Sequence, residues 1–584
     1  MPSATTDGDL RSDRSAGAPA PVDRPLLDVR DLHVEFRGDD GPVVAVDGAS
    51  LSVGRGESLA VVGESGSGKS TIVASILGLL ARNGRIVGGT VTFDGEDITN
   101  LPDKRMRQIR GIRIGLVPQD PMSSLNPLTR IGTQVAEALE AHGLASGRQA
   151  QGRAVELLGH VGLPDAAERA RLYPHEFSGG MRQRALIAIG LACQPALLLA
   201  DEPTSALDVT VQRQILDHLQ RLTGELGTAV LLVTHDLGLA AERAERVVVM
   251  YRGKVVETGP SRQILTDPQH EYTRRLVSSA PSLTAVRMVA SPVTVGPEHS
   301  APEADGSAPG QVPAGQVPAG QDLLVAQGLH KTYRIRGSRS GGRAVFHAVR
   351  DVSFAIPRGK TLALVGESGS GKTTTARMAL RLITPTAGSI TFDGHEVGSL
   401  HRGGLRPFRR RVQAVFQDPY SSLNPTASIG EILEEPLRIF RIGDRASRRA
   451  TVRSLLDQVA LPSTVLHRYP NELSGGQRQR VAIARALAPE PDLVVCDEPV
   501  SALDVLVQAQ ILDLLAELQE RRGLSFLFIS HDLAVVRLLA HEVAVMKSGQ
   551  IVEVGPTDQM FDDPRNKYTQ RLLEAIPGRS LLAS

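Results

Sequence analysis

Residues 57–70 read ESLAVVGESGSGKS, an apolar run that ends on a glycine-rich loop and is followed by a helical pattern. The spacing GxxxxGK[ST] between Gly63 and Ser70 is typical of a strand, a phosphate-binding loop and a helix in succession. In such a loop the glycines let backbone N–H groups approach phosphate oxygens, and the helix N-terminus adds positive potential. The stretch therefore predicts an α/β fold that binds phosphate.

The same loop occurs a second time, because residues 360–373 read KTLALVGESGSGKT. In each copy the lysine, Lys69 or Lys372, is expected to contact the β- and γ-phosphates of a nucleotide. The hydroxyl that follows, on Ser70 or Thr373, is expected to ligate Mg²⁺. The predicted phosphate-binding residues are Gly63, Glu64, Ser65, Gly66, Ser67, Gly68, Lys69, Ser70 and Thr71, and Gly366, Glu367, Ser368, Gly369, Ser370, Gly371, Lys372, Thr373 and Thr374.

The chain as a whole is an internal repeat. Further segments recur in the same order: QDPMSSLNP at 119–127 and QDPYSSLNP at 417–425, FSGGMRQR at 177–184 and LSGGQRQR at 473–480, DEPTSALDV at 201–209 and DEPVSALDV at 497–505, and VTHDL and ISHDL around His235 and His531. The offset between the copies stays between 296 and 303 residues. Preserved order and spacing predict two domains of one fold.

A short apolar run precedes an Asp-Glu pair in each copy, as in residues 196–200. Such runs are typical of parallel strands buried on both faces, so the acids are expected at the end of a core strand. The first acid of each pair is interpreted as a Mg²⁺ ligand that acts through bound water: Asp201 and Asp497. The second is interpreted as the general base for attacking water: Glu202 and Glu498.

Two further polar positions recur near these acids. A second apolar strand is predicted at residues 229–234 and 525–530, and His235 and His531 follow its end. Each histidine stands 34 residues after the aspartate, and this identical spacing favours a catalytic role. Gln119 and Gln417 open a stretch with helical periodicity. Their position predicts contact with Mg²⁺ and with attacking water.

Composition argues against several classes of protein. Lysine plus arginine (65) balance aspartate plus glutamate (64), which argues against a nucleic-acid binder. No run approaches the ~18 apolar residues that span a bilayer, and residues 1–25 contain no apolar stretch typical of a secretory signal. We expect a soluble protein. Cys193 and Cys496 lie far apart in apolar surroundings and are predicted to be buried, with no metal or disulfide framework.

The domain boundaries follow from composition. Residues 282–321 are rich in Ala, Pro, Gly and Gln and include VPAGQVPAGQ, which predicts a flexible linker with a reach of roughly 35 Å. The predicted segments are a disordered tail at 1–25, a first domain at 26–281 with a helical insertion at about 120–178, the linker, a second domain at 322–577 with an insertion at about 418–474, and a C-terminal tail at 578–584.

The motifs, in this order and twice over, resemble the ATP-binding cassette (ABC) family. The order is Walker A, Q-loop, signature, Walker B, D-loop and switch histidine, and the SGG signature is the most specific element because other P-loop proteins lack it. The resemblance implies two P-loop domains, each with a parallel-sheet core and a helical subdomain, paired head to tail. Mg-ATP would then bind between a P-loop and the other domain's signature.

The resemblance also assigns the residues of that composite site. It implies that one signature caps the ATP held by Lys69: Ser474, Gly475, Gly476 and Gln477. It implies that the other caps the ATP held by Lys372: Ser178, Gly179, Gly180 and Met181. Phe36 and Tyr333 fall where the family stacks an aromatic ring on adenine.

Finer features resemble the oligopeptide/dipeptide/nickel importer branch of the family. They are SSLNP after the Q-loop and the tails DPQHEYTRRLVSSAP at 267–281 and DPRNKYTQRLLEAIP at 563–577. The first half is similar to the branch's D-type subunit and the second to its F-type subunit. The resemblance implies an ATP-hydrolysing motor at the cytoplasmic face of the membrane, with two integral-membrane permeases and an extracytoplasmic solute-binding protein.

Some questions stay open at this level. Some D-type relatives carry a cysteine cluster for an iron–sulfur centre after the first tail, and because none stands here we expect no cluster. The chief alternative is a soluble tandem ABC ATPase that acts on ribosomes or nucleic acid, with an exporter motor as a weaker one. The Pro/Gly linker and neutral charge favour transport. Peptide is the first interpretation of the substrate, with nickel, glutathione and opines as alternatives.

Overall fold

The structure is a computed structural model that describes residues 24–38, 41–205, 207–280, 322–336, 343–501 and 503–578. The linker predicted at 282–321 lies outside the described residues. So do most of the tails predicted at 1–25 and 578–584.

The first copy alternates strands with helices. Its strands are β1 Leu27–Gly38, β2 Gly41–Val53, β3 Ser58–Gly63, β4 Gly84–Phe93, β5 Glu96–Asp97, β6 Ile114–Val117, β7 Leu197–Asp201, β8 Ala229–Thr234, β9 Arg246–Tyr251 and β10 Lys254–Pro260. Its helices are α1 Lys69–Ile76, α2 Asp103–Ile109, α3 Pro121–Ser124, α4 Ile131–Ala141, α5 Gly147–His160, α6 Ala166–Arg169, α7 Gly179–Leu191, α8 Val209–Leu226, α9 Leu237–Arg243, α10 Ser261–Thr266 and α11 Glu271–Ser279, with a 3₁₀ turn at Pro174–Glu176.

The second copy repeats this order. Its strands are β11 Asp322–Arg336, β12 Arg343–Pro357, β13 Thr361–Val365, β14 Ala387–Phe392, β15 His395–Glu396, β16 Val412–Val415, β17 Leu493–Asp497, β18 Ser525–Ser530, β19 Glu542–Lys547 and β20 Gln550–Pro556. Its helices are α12 Lys372–Ala379, α13 Arg402–Arg411, α14 Pro419–Ser422, α15 Ile429–Phe440, α16 Arg445–Gln458, α17 Gly475–Leu487, α18 Val505–Arg522, α19 Leu533–Leu539, α20 Thr557–Asp562 and α21 Lys567–Glu574, with 3₁₀ turns at Ser463–His467 and Pro470–Glu472.

A mainly parallel sheet forms the centre of each copy. The strand order is β10-β9-β3-β8-β7-β6 in the first and β20-β19-β13-β18-β17-β16 in the second, and only β10 and β20 run antiparallel to their neighbours. Strands such as β8, AVLLVT, are buried along their whole length because layers cover both faces of the sheet. The predicted α/β fold with a parallel-sheet core is therefore confirmed.

One face of the central sheet is covered by a second, antiparallel sheet that the sequence analysis did not anticipate. Its order is β2-β1-β4-β5 in the first copy and β12-β11-β14-β15 in the second. The residues of β1 alternate between buried and more exposed positions, and register shifts against both neighbouring strands interrupt this alternation. Buried side chains such as Leu32 and Val34 share a core with β3 and α1. On the opposite face helices α7 and α8 share a separate apolar core with the strands, and α4 and α5 pack against α7.

Two smaller expectations have definite outcomes. Cys496 is completely buried, as predicted, whereas Cys193 is only half-buried, with its Sγ 3.6 Å from the carbonyl oxygen of Ala138. The prediction of burial was therefore wrong for Cys193, which stands in the turn after α7 rather than inside a strand. Among the described residues, no helix is both long and apolar enough to cross a membrane.

Candidate functional site

The sheet topology gathers the polar residues of each copy at one edge. In the first copy, β3 pairs with β8 so that Val62 lies opposite Thr234, and β7 pairs with β8 so that Asp201 lies opposite Val233. Parallel neighbours end on the same side of a sheet. The P-loop, the Asp-Glu pair and the histidine after β8 therefore meet at the carboxyl edge, where ligands bind in open α/β sheets.

The first residue of the P-loop has to be glycine. Gly63 has φ 155°, and a Cβ there would lie 2.2 Å from the carbonyl oxygen of Met250 and 2.8 Å from Ser67 Oγ. Gly366 repeats this geometry, with its Cβ position 2.2 Å from the carbonyl oxygen of Met546. The backbone of strand β9 or β19 thus presses directly on the loop and fixes its path.

This contact yields a stability prediction. Gly63→Ala is expected to destabilise the first domain by about 2–4 kcal/mol and to abolish nucleotide binding there, because overlap with backbone cannot be relieved by rotating a side chain. The matched control is Gly152→Ala in helix α5, where the Cβ would meet open space. It is expected to stabilise the helix by roughly 0.5–1 kcal/mol. Thermal unfolding measures the stability of both variants, and binding of an ATP analogue measures their nucleotide affinity. Equal stability and equal affinity of Gly63→Ala and Gly152→Ala would contradict the loop geometry.

The P-loop lysine is buried and faces the loop's own carbonyls. Lys69 Nζ donates to the carbonyl oxygens of Gly63 at 2.7 Å and Glu64 at 2.8 Å, and Lys372 makes the equivalent pair of bonds in the second copy. Burial lowers the pKa of Lys69, against the opposing charge of Glu202. Beside it the buried hydroxyl of Ser67 has no hydrogen-bond partner among the described residues, and a phosphate group would supply an acceptor. The loop therefore fits a nucleotide phosphate.

A hydroxyl and a carboxylate lie together where a metal ion would be expected. Ser70 Oγ donates to Asp201 Oδ1 over 3.1 Å, and Thr373 Oγ1 donates to Asp497 Oδ1 over 3.3 Å. Burial raises the pKa of Asp201, and the charge of neighbouring Glu202 adds to this rise against the hydrogen bond from Ser70. Hard oxygen donors of this kind suit Mg²⁺, whose charge would offset the cost of burying the carboxylate.

In the first copy two predicted catalytic residues, Gln119 and His235, both contact the third, Glu202. Gln119 Nε2 donates to Glu202 Oε2 over 3.0 Å, and His235 Nδ1 lies 3.3 Å from the same oxygen. Burial acts to raise the pKa of Glu202, but the hydrogen bond and charge of His235 outweigh it, so that this pKa lies below its usual value. The carboxylate is therefore kept ionised, as a proton acceptor must be.

The second copy repeats the triplet. Gln417 Nε2 donates to Glu498 Oε2 over 2.8 Å, and His531 Nδ1 lies 3.1 Å from Glu498 Oε1. Both glutamates have positive φ, 45° at Glu202 and 49° at Glu498, a conformation that is uncommon outside glycine. The N–H of Glu202 donates to the carbonyl oxygen of Val233, which holds this turn in place. The N–H of Glu498 donates to the carbonyl oxygen of Ile529 in the same way.

The two signature segments are similar but not equal. Ser178 and Ser474 cap helices α7 and α17, and each Oγ accepts the N–H three residues on, from Met181 at 3.4 Å or from Gln477 at 3.3 Å. In the second copy Gln477 Oε1 also accepts the N–H of Ser474 over 3.1 Å, which completes a capping box. Met181 has no amide oxygen, so the first helix lacks this return bond.

The two candidate adenine-stacking residues lie in different surroundings. Phe36 is half-buried, and its ring covers Gly84 so closely that a Cβ there would be 2.6 Å from the ring. Tyr333 is 41% exposed, and its cross-strand partner Phe346 is 50% exposed. Directly paired residues project to the same face of a sheet, so Tyr333 and Phe346 form an accessible aromatic pair.

Each P-loop lies against the other copy. The N–H of Ser368 donates to Asp208 Oδ2 over 3.4 Å, and Thr210 Oγ1 donates to Glu367 Oε1 over 3.0 Å. In the opposite direction, burial raises the pKa of Glu64, and the charge of the second copy's Asp504 adds to that rise. The residues that follow the Asp-Glu pair of one copy thus face the phosphate loop of the other.

A cavity of about 580 Å³ lies between the copies. Residues of both candidate sites line it: Ser65, Gln119, Glu202 and His235 of the first copy and Gln417, Gly475, Glu498 and His531 of the second. The carboxylates of the two copies therefore open onto one shared space.

Asp208 and Thr210 are site residues that the sequence did not predict. The repeat of DEPTSALDV as DEPVSALDV carried a signal for Asp208, whose counterpart is Asp504. It carried none for Thr210, because Leu506 stands at the equivalent position and packs in an apolar cluster.

Comparison with protein families matches both copies. A family profile described as "ABC transporter" matches residues 46–205 and 349–501. A second, described as "Oligopeptide/dipeptide transporter, C-terminal region", matches residues 256–305 and 552–579.

Curated relatives match along nearly the whole chain. The glutathione import ATP-binding protein GsiA of Salmonella typhimurium (strain LT2) is 43% identical over 569 residues, which are 95% of this chain and 90% of that protein. GsiA of Escherichia coli (strain K12) is 43% identical over 566 residues, 94% of this chain and 89% of that protein. Among solved structures, the dimeric ATP-binding cassette MJ0796 bound to ADP and Pi is 31% identical, with a TM-score of 0.37 over 40% of this chain and 99% of that one.

Proposed function

The chain belongs to the ABC transporter family of ATP-binding proteins, and from that premise we propose how its residues hydrolyse ATP and what the hydrolysis drives. The chain is an ATP-binding, ATP-hydrolysing subunit of an importer. The alternative, a soluble tandem ATPase that acts on ribosomes or nucleic acid, is not favoured, because the relatives are import proteins matched over nearly the full length.

We propose that Glu202 and Glu498 accept the proton of the water that attacks the γ-phosphate. The observation that carries this proposal is the repeated triplet in which a glutamine and a histidine hold the carboxylate beside the P-loop. Gln119 and Gln417 would orient the water, and His235 and His531 would keep the base ionised and in place.

The remaining site residues bind and orient the nucleotide. The P-loop amides, with Lys69 or Lys372, would hold the phosphates, and the Ser70–Asp201 and Thr373–Asp497 pairs would hold Mg²⁺. Bound Mg²⁺ neutralises charge on the phosphate oxygens. Phe36 and Tyr333 are proposed to stack on adenine, which the exposure of Tyr333 supports.

We propose that the copies pair head to tail within one chain. The ATP on Lys69 would be capped by the signature that starts at Ser474, and the ATP on Lys372 by the one that starts at Ser178. The Asp208–Ser368 contact supports this arrangement, as does the presence of both Ser65 and Gly475 in the lining of the shared cavity. The proposed units are residues 26–281 and 322–577, with helical insertions at about 120–178 and 418–474, joined by a flexible linker at 282–321.

Membrane permeases are the partners that an import ATPase requires. We propose two integral-membrane permeases and an extracytoplasmic solute-binding protein, with this chain peripheral at the cytoplasmic face. The relatives named as glutathione importers, with the oligopeptide/dipeptide transporter match, support glutathione or a short peptide as cargo.

Reconstitution tests the import function. ATP hydrolysis by the purified chain is expected to rise several-fold when it assembles in lipid with the permease pair of a glutathione or peptide importer from the same organism. Permeases without this chain, and the assembly with both glutamates changed to glutamine, are the controls. Stimulation by ribosomes or DNA, with none by permeases, would overturn the proposal.

A further inference from the structure

Each C-terminal helix carries a tyrosine that contacts the P-loop of its own copy. Tyr272 is the second residue of α11, and its Oη accepts the N–H of Glu64 over 3.1 Å. Tyr568 is the second residue of α21, and its Oη accepts the N–H of Glu367 over 3.2 Å. In both copies the bonded N–H follows the glycine that opens the loop.

The tyrosines are held rigidly at this position. Both are buried, Tyr272 at 4% and Tyr568 at 7% exposure. Their backbones are fixed by caps, because the N–H of Tyr272 donates to His270 Nδ1 over 3.1 Å and that of Tyr568 to Asn566 Oδ1 over 2.8 Å. The ring of Tyr251, at the end of β9, stacks on Tyr272 with 4.2 Å between centroids. Each phenol oxygen is therefore presented to the loop in one orientation.

The other side of each tail helix packs on the opposite copy. Tyr272 and Leu276 share an apolar cluster with Val505 and Leu506, at the start of helix α18. In the second tail, the carbonyl oxygen of Glu574 accepts a hydrogen bond from Arg213 of helix α8. Each tail helix thus lies between its own P-loop and the helix that follows the other copy's D-loop.

We propose that Tyr272 and Tyr568 are positioning residues that hold the first peptide of each P-loop in its nucleotide-binding orientation. This inference rests on the proposed function, in which the P-loops bind ATP. The carbonyl oxygen of this peptide, on Gly63 or Gly366, already accepts a bond from the P-loop lysine, and the tyrosine adds a restraint on the N–H side. The bond fixes one peptide plane, and the amides that follow it then face the phosphates.

The chemistry of the phenol suits this role. Burial raises the pKa of Tyr568 to about 12, and burial raises that of Tyr272 as well. The hydroxyl therefore stays neutral at any working pH and places no negative charge beside the phosphates. An acidic side chain at this position would accept the same bond but would repel the nucleotide.

The test removes one oxygen atom and measures one site. In a Lys372→Ala background, which leaves the Lys69 site to bind, Tyr272→Phe is expected to weaken binding of a non-hydrolysable ATP analogue about tenfold, the equivalent of about 1.4 kcal/mol for a partly buried N–H that loses its acceptor. In the otherwise unchanged chain the same variant should raise KM for ATP, while kcat at saturating ATP changes less than twofold. The reciprocal experiment is Tyr568→Phe in a Lys69→Ala background, read at the Lys372 site.

The matched control is Tyr251→Phe, which removes a phenol oxygen from the ring stacked on Tyr272 and should leave affinity within twofold. Urea unfolding without nucleotide shows that each variant is folded. Equal affinity in Tyr272→Phe and Tyr251→Phe would overturn the proposal, as would a loss of kcat without a change in KM. Neither readout depends on which signature caps the nucleotide, so failure here is distinguishable from failure of the head-to-tail pairing.

Discussion

ATP turnover is expected to fall by about 10²–10⁴-fold in the Glu202→Gln, Glu498→Gln double variant, with nucleotide binding intact. A carboxamide keeps the size of the carboxylate and can still accept the hydrogen bond from Gln119 or Gln417, but it cannot take a proton from water. Its neutral side chain also leaves His235 and His531 without their ion-pair partners.

Steady-state phosphate release and equilibrium binding of ATP measure the two halves of this prediction. Glu225→Gln, which removes an exposed carboxylate paired with Arg221, is the control for loss of charge and should hydrolyse ATP normally. Each single change, Glu202→Gln or Glu498→Gln, is expected to impair transport. If one of them leaves transport unchanged, the two sites are not equivalent. The capping box that is incomplete at Met181 would offer a physical reason for the difference.

The core strands could be predicted closely because burial on both faces leaves a continuous apolar run. The strand expected at residues 229–234 has those bounds in the structure, and the one expected at 196–200 is displaced by a single residue, to Leu197–Asp201. The carboxyl ends of these strands also predicted where the site lies. Parallel strands bring Asp201 and His235 to one edge of the sheet regardless of the helices between them in the chain.

The antiparallel sheet could not be predicted in the same way. Strand β1 is half-exposed, and register shifts near Val29 and His33 interrupt the alternation by which such a strand is recognised. The contacts between copies were equally inaccessible, because Asp208 meets Ser368 only through the relative placement of two whole domains. Tyr272 and Tyr568 stand in the segments 267–281 and 563–577, which resemble the importer branch. Their bonds to the P-loops could not be predicted, because these bonds depend on how each segment folds back onto its own domain.

The most direct test of the account concerns which signature completes which ATP site. In the head-to-tail arrangement, Lys69 and Ser474 belong to one site and Lys372 and Ser178 to the other, although each pair is divided between the two domains. Residues that act in one site are non-additive, whereas damage to separate sites is independent. Pairs of substitutions therefore show which P-loop and which signature form one ATP site, and the transported substrate is not needed for this test.

The measurement is nucleotide trapped per chain in the Glu202→Gln, Glu498→Gln background, where the closed form persists because ATP is not hydrolysed. Lys69→Ala with Ser474→Arg damages one site twice, so trapping should match that of either change alone. Lys69→Ala with Ser178→Arg damages both sites, and trapping should disappear. The reverse pattern, with trapping lost in the first pair and retained in the second, would mean that each ATP is capped by its own domain's signature and would contradict the composite sites.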